Sequence, residues 1–179
     1  MLNPNLSIKQ AVRVCLALIL ILAGLFISLH YIDQPPAETK LIARFYAHRV
    51  TYEQLRDMLQ TDTQVLTVAN WGIETTKSVA IIIPPEDNFP ITRYHEYLAL
   101  LKEVDAVGVF RERKQGSAEI SIDVWASGFG GDTRHVNICW LEHVPRNQVP
   151  SLDSYYKTPK PHSPVVRHIE DNWYLCADW

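Results

Sequence analysis

Hydrophobic residues follow two different patterns along this 179-residue chain. Residues 14–29 read VCLALILILAGLFISL, a run that contains no charged residue. A helix in a soluble domain usually has a polar side, whereas this run is apolar on every face. Extended to residue 32, it spans about 28 Å as a helix, close to the roughly 30 Å hydrocarbon core of a bilayer. We therefore predict that residues 14–32 form a transmembrane anchor in contact with lipid.

The charges on either side of this run predict its orientation. Lys9 and Arg13 precede it, and Asp33 follows it. By the positive-inside rule, the basic side lies in the cytoplasm. The chain then divides into a cytoplasmic tail, a single-pass anchor, a linker and a domain on the far side of the membrane, at residues 1–13, 14–32, 33–36 and 37–179.

A cleaved signal peptide is the competing interpretation of the same run. Cleavage requires small residues at positions −3 and −1 after the apolar core. No A-x-A-like pair lies between Phe26 and Ala37. A lipoprotein signal would place a cysteine at the end of the run, but Cys15 is at its start. An uncleaved signal anchor therefore fits the sequence better.

The domain begins with helical periodicity and continues with alternation. A spacing of three and four predicts helices over residues 37–48, 51–60 and 92–104. Thr51 and Gln54 match a capping box at the start of the second helix. Apolar runs and alternation of period two predict strands over residues 65–71, 79–83, 107–111, 118–127, 134–143, 165–169 and 173–177. Helices followed by strands indicate an α+β fold, with helices packed on a mainly antiparallel sheet.

Alternation in the strand over residues 118–127 sorts its side chains onto two faces. Ile120, Ile122 and Val124 point one way, and Asp123 and Trp125 point the other way. Trp125 is therefore the candidate for a second core layer or an exposed contact surface. Because aromatic residues are enriched at protein–protein interfaces, Trp125 is our candidate binding residue.

Composition argues against a nucleic-acid-binding protein and against a disordered one. The chain has 17 basic and 20 acidic residues, a net charge of −3. A nucleic-acid-binding protein usually has a basic excess, so we expect no nucleic-acid partner. The apolar content of 47% and the aromatic content of 10% argue against disorder.

The glycine-rich segment over residues 127–133 is a candidate functional loop. A nucleotide-binding loop would open a helix, but a strand pattern follows, so we predict a hairpin turn and no cofactor. Asp132 and His135 lie at its end, and they could act together in general acid–base catalysis. The alternative is a solvated hairpin end with an aspartate in the turn. We keep Asp132 and His135 as the candidate catalytic residues.

The three cysteines leave two interpretations open. On a strand, His135, Cys139 and His143 span about 13 Å, too far for joint ligation, so we predict no metal site. Cys139 and Cys176 both follow the anchor, where an oxidising compartment would permit a disulfide. They could pair if their strands are neighbours, or they could be two free, half-buried thiols.

Three stretches carry a resemblance to a group of proteins: residues 48–59, which include EQLRDML; residues 125–135, which include WASG and GDTRH; and residues 172–179, NWYLCADW. With these, the chain resembles an uncharacterised family of small bacterial proteins that often have an N-terminal anchor. The resemblance implies no activity and assigns no functional residue. It implies a bacterial inner-membrane setting, and thus a periplasmic domain.

These features lead to one functional hypothesis and its rivals. We expect a single-pass membrane protein with a non-catalytic, protein-binding domain, one form of which is an immunity-type protein that neutralises a toxin. The alternative is a cell-envelope enzyme that acts on a small molecule or a cell-wall fragment, using His135 and Asp132. A third option is a structural subunit of a membrane assembly.

Overall fold

A computed structural model describes residues 12–22, 24, 34–76, 79–80, 89–114, 117–129, 132–157 and 164–178. The chain divides into two units, Met1–Gln34 and Pro35–Trp179.

The first unit is helical over residues 12–22. Its large apolar side chains are more than half exposed, among them Leu16, Leu18, Ile19, Leu20, Ile21 and Leu22. Among the described helices, none is both long enough and apolar enough to cross a membrane. The predicted anchor also includes residues 23 and 25–32, which lie outside the described residues.

The second unit contains four described helices and eight strands. The helices are α1 (Glu38–Ala47), α2 (Arg49–Thr61), α3 (Ile91–Glu103) and α4 (Leu152–Tyr155). The strands are β1 (Val65–Ala69), β2 (Gly72–Thr75), β3 (Val79–Ala80), β4 (Gly108–Lys114), β5 (Ser117–Phe129), β6 (Asp132–Leu141), β7 (Val165–Glu170) and β8 (Trp173–Asp178). The predicted α+β class is confirmed.

All eight strands belong to one sheet, in the order β3-β2-β1-β4-β5-β6-β8-β7. Every pair of neighbouring strands is antiparallel. The last hairpin inserts so that β8 pairs with β6, while β7 lies outside it. The segment after β6 runs beside β7, through a parallel bridge between Gln148 and Val166.

One face of the sheet and the apolar stripes of α1, α2 and α3 form the main core. The stripes supply Leu41, Phe45, Tyr52, Leu55, Leu59, Tyr94, Tyr97 and Leu101, all 4% exposed or less. Ile120, Ile122, Ile138 and Leu175 meet them from the sheet. Phe45 packs on Trp173 with 5.4 Å between ring centroids, so the first helix of the unit contacts the last strand.

Helices α1 and α4 cap each other. The backbone N–H of Glu38 donates to the Asp153 carboxylate at 3.0 Å. The backbone N–H of Leu152 donates to the Glu38 carboxylate at 2.6 Å. Arg167 also reaches the Glu38 carboxylate, at 3.4 Å. Each helix thus supplies a carboxylate that accepts a backbone N–H from the first turn of the other helix, where no intrahelical partner exists.

The predicted capping box at Thr51 and Gln54 is wrong. Helix α2 begins at Arg49, so Thr51 lies within its first turn. The Thr51 hydroxyl donates to the carboxylate of Glu103 in α3 instead of capping its own helix. A tertiary partner, which local spacing does not reveal, decides where this side chain bonds. The structure also adds strand β2, which follows a turn at residues 70–71 within the predicted strand region.

Trp125 lies on the opposite face from the one that the alternation predicted. The register of β5 on β6 shifts between Asp123 and Trp125, a bulge in which one extra residue enters β5. After the bulge, Trp125 pairs with the buried Val136. It is partly buried and packs against the main core. The prediction that Trp125 lies on the face away from Ile120, Ile122 and Val124 is therefore wrong.

Candidate functional site

The sheet face opposite the helices carries a cavity of about 550 Å³. Alternate residues of β5 and β6 form its floor, because side chains two apart share a face. The segment around Pro145 and Asn147, together with Pro164 and Val165, forms a wall. Its polar and charged lining consists of Thr67, Arg111, Glu112, Glu119, Ser121, Asp123, His135, Asn137, Asn147 and Asp178.

Asp123 and His135 form a pair in this cavity. Nδ1 of His135 is 3.1 Å from Oδ2 of Asp123. The Asp123 side chain is only 5% exposed, whereas that of His135 is 39% exposed. The other Asp123 oxygen accepts the backbone N–H of Trp125 at 3.2 Å. The β5 bulge therefore helps to fix the carboxylate that holds the imidazole.

This environment favours the charged form of His135. The hydrogen bond to the Asp123 carboxylate raises the pKa of His135, and burial lowers it. The negative charges of Asp123 and Asp178 raise it further. An imidazole that a carboxylate holds at Nδ1 exchanges protons through Nε2. His135 and Asp123 together could bind an anionic or hydrogen-bonding group, or act in general acid–base chemistry.

The structure gives His135 a different acidic partner from the predicted one. Asp132 begins β6, three residues before His135, a distance of about 10 Å along a strand. The side chain of Asp132 lies outside the described part of the chain. Asp123, two residues before Trp125, supplies the carboxylate beside His135. The two residues lie on the two strands of the predicted hairpin, and the shifted register that brings them together was not readable from the sequence.

Cys139 and Cys176 are joined by a disulfide in the structure. Their strands, β6 and β8, are neighbours, and their Cα atoms are 6.2 Å apart. Cys139 is fully buried, whereas Cys176 is partly exposed and lines the cavity. Of the two interpretations that the sequence left open, the structure has the paired one.

A carboxylate and a hydroxyl lie beside this disulfide. The hydroxyl oxygen of Ser121 is 3.3 Å from Sγ of Cys139, and Ser121 is 2% exposed. A carboxylate oxygen of Glu119 and both sulfur atoms lie within 4.8 Å of one another. Such a group could ligate a metal as thiolates, but disulfide sulfur atoms are not thiolates. Its chemistry in this state is therefore that of a disulfide.

The sequence contained a usable signal for most of this site. Glu119, Ser121 and Asp123 alternate with core residues on β5, as His135 and Asn137 do on β6. Two neighbouring strands that are polar at alternate positions indicate a wet sheet face. The predicted binding residue, Trp125, packs against the core and is not among the residues that line the cavity.

No protein-family model, curated protein or solved structure matches this chain.

Proposed function

We propose that this chain is a single-pass protein of the bacterial inner membrane that holds a binding domain in the periplasm. The uncharged run over residues 14–29 supports the anchor, and the exposure of Leu18 to Leu22 on all sides of their helix fits lipid contact. The Cys139–Cys176 disulfide supports an oxidising compartment for the domain.

A reporter fusion tests this topology. Alkaline phosphatase fused after residue 179 should be active, because it folds only where disulfides form. Green fluorescent protein at the same place, exported through the same route, should remain dark. The opposite pair of results would reject the orientation. A control fusion after residue 13 should give the cytoplasmic pattern.

The binding element of this domain is the cavity on the open sheet face, and its occupant is a small polar molecule. One observation carries this proposal: a cavity of about 550 Å³ in which charged and polar side chains converge. Ligand cavities of proteins span roughly 300–1,000 Å³ and present a few placed polar groups.

The charges of the lining select the class of ligand. Four carboxylates line the cavity, at Glu112, Glu119, Asp123 and Asp178, against the two basic residues Arg111 and His135. Unlike charges attract more strongly where protein walls exclude water. We therefore expect a cationic molecule with an amine, such as an amino sugar with a free amine or a diamine.

Calorimetry on the full chain in detergent tests this expectation. Glucosamine and putrescine serve as probes, and glucuronate and succinate serve as anionic controls. Asp178→Asn should weaken amine binding by about tenfold, equivalent to about 1.4 kcal/mol. The matched control is Asp57→Asn, on the helical side of the sheet, which should bind as the wild type does. Equal binding of amines and anions, or no effect of Asp178→Asn, would reject the proposed ligand class.

The same samples distinguish binding from catalysis. A bound probe that is recovered unchanged after long incubation fits the non-catalytic domain that we propose. A chemically altered probe would favour the envelope enzyme, with His135 and Asp123 as the acid–base pair.

A second candidate function is contact with a protein partner. Trp71 is 46% exposed in the β1–β2 turn, and Val107 is 39% exposed. The backbone N–H of Asn70, which precedes Trp71, donates to the Val107 carbonyl at 3.2 Å and joins the two segments. An exposed tryptophan is typical of interface centres. Capture of a defined partner by the wild type and its loss in Trp71→Ala would support this candidate. Repeated capture that recovers no partner would count against it.

A further inference from the structure

The Cys139–Cys176 disulfide differs from a purely structural crosslink because it is part of the cavity. Cys176 lines the cavity and is partly exposed, whereas its partner Cys139 has no exposed surface. A molecule in the cavity thus contacts Cys176 and not Cys139. A thiolate exchanges with a disulfide only at a sulfur atom that it can reach.

Ser121 favours a leaving thiolate at the buried sulfur, whereas the Glu119 carboxylate, within 4.8 Å, and the burial of Cys139 oppose one. Ser121 lies within hydrogen-bond distance of Sγ of Cys139, at 3.3 Å, and Ser121 itself is 2% exposed. A hydroxyl that donates to sulfur stabilises the negative charge that develops when the S–S bond breaks. Exchange proceeds faster when the leaving sulfur is a better thiolate.

From this arrangement we infer that the cavity is a thiol–disulfide exchange site, in which a small thiol forms a mixed disulfide with Cys176. The thiolate attacks Sγ of Cys176 and forms a new S–S bond. The Cys139–Cys176 bond breaks, and its electron pair leaves on Cys139, which then takes up a proton. A second thiol molecule, or Cys139 itself, releases the first, so no other oxidant or reductant is needed. This inference rests on the proposal that the cavity admits small polar molecules.

The lining also selects among thiols. The carboxylates of Glu112, Glu119 and Asp178 line the same cavity as Cys176. They attract a thiol that carries an amine and repel one that carries a carboxylate. With each thiolate rate divided by the rate of the same thiolate with a small uncharged disulfide, which removes intrinsic nucleophilicity, cysteamine should therefore react faster than mercaptoethanol, and mercaptoethanol faster than thioglycolate. Added salt should reduce these differences in rate, because it screens the charges.

The experiment uses the full chain in detergent with Cys15→Ser, which removes the third cysteine. The oxidised protein reacts with each thiol, and an acid quench, denaturation and N-ethylmaleimide then mark the cysteine that was released. Mass spectrometry should find the thiol on Cys176 and the maleimide on Cys139, with about tenfold preference over the reverse pattern. An even distribution, or reaction only after denaturation, would overturn the inference.

A pair of single-thiol variants tests access without the disulfide. Cys139→Ser leaves Cys176, and Cys176→Ser leaves Cys139, both in the Cys15→Ser background. Cys176 should react with an aromatic disulfide about tenfold faster than Cys139, because only Cys176 faces the cavity. Ser121→Ala in the oxidised protein should slow exchange severalfold, while the exposed Ser154→Ala should not. Equal rates in both comparisons would contradict the inference.

These outcomes remain distinguishable from those of the proposed ligand site. If amines bind in the cavity but no mixed disulfide forms at Cys176, only the exchange inference fails. If Cys176 reacts selectively but no amine binds, the proposed ligand class fails and the exchange site stands.

Discussion

At the scale of single residues, Asp123 connects the His135 ring to the bulge in β5. One of its oxygens holds the His135 ring, and the other accepts the backbone N–H of Trp125. The second bond ties the charge to the bulge, so the side chain cannot turn away from the imidazole. A buried carboxylate that is fixed in this way controls the titration of its neighbour.

We therefore expect Asp123→Asn to lower the pKa of His135. The asparagine can still accept the Trp125 N–H through its oxygen, but it no longer supplies negative charge to the ring. In the wild type, the pKa of His135 lies above 6.5 because of the hydrogen bond to Asp123. Titration of the His135 ring signals by NMR, with Asp57→Asn as the control, measures the difference. An unchanged midpoint would show that Asp123 does not govern His135.

The sign of the effect on stability follows from the same shift. A histidine whose pKa is higher in the folded chain stabilises it fully below the pKa of the unfolded chain, about 6.5. That stabilisation is lost as pH rises through the folded pKa. The wild type should thus gain stability relative to Asp123→Asn as the pH falls from 8 to 5.5, as followed by urea unfolding at each pH. A difference that grows toward high pH would contradict this assignment.

At the scale of elements, the reciprocal caps of α1 and α4 connect distant parts of the sequence. Glu38→Ala removes the acceptor of the Leu152 N–H and the partner of Arg167. Leaving a buried donor unsatisfied costs about 2 kcal/mol. Urea unfolding should show a loss of that order. Glu53→Ala, which removes an exposed pair with Arg49 in α2, should cost less than about 0.5 kcal/mol. Equal losses in the two variants would show that the caps do not matter.

The elements also show how far the sequence could predict the fold. Helix and strand positions follow from the spacing of apolar residues, because each element must bury one face. The bulge before Trp125 could not be predicted, because nothing in the composition of β5 marks where an extra residue enters. The bulge moves Trp125 to the other face. The partner of Thr51 depends on α3, which is distant in sequence. The Asp123–His135 pair was missed because it depends on the register of the predicted hairpin, which the bulge shifts.

At the scale of the whole molecule, the disulfide restricts the unfolded chain. Its cysteines are 37 residues apart, for which the chain-entropy relation gives about 4 kcal/mol of stabilisation. Replacing both Cys139 and Cys176 with alanine should therefore lower the free energy of unfolding by roughly that amount. Cys15→Ser, outside this loop, is the control and should leave it unchanged. Equal unfolding midpoints for the double variant and the control would mean that the crosslink adds no stability.

The contact between Phe45 and Trp173 has a consequence for the order in which the domain is made. Helix α1 leaves the ribosome early, yet its apolar face packs on the last strand. Its cap depends on Leu152, which follows 114 residues later. Contacts of such long range form slowly, because a large loop must close before any of them is gained. The domain therefore completes its core only after β8 has been synthesised, and the parts of α1 and α2 that pack on Trp173 remain uncovered until then.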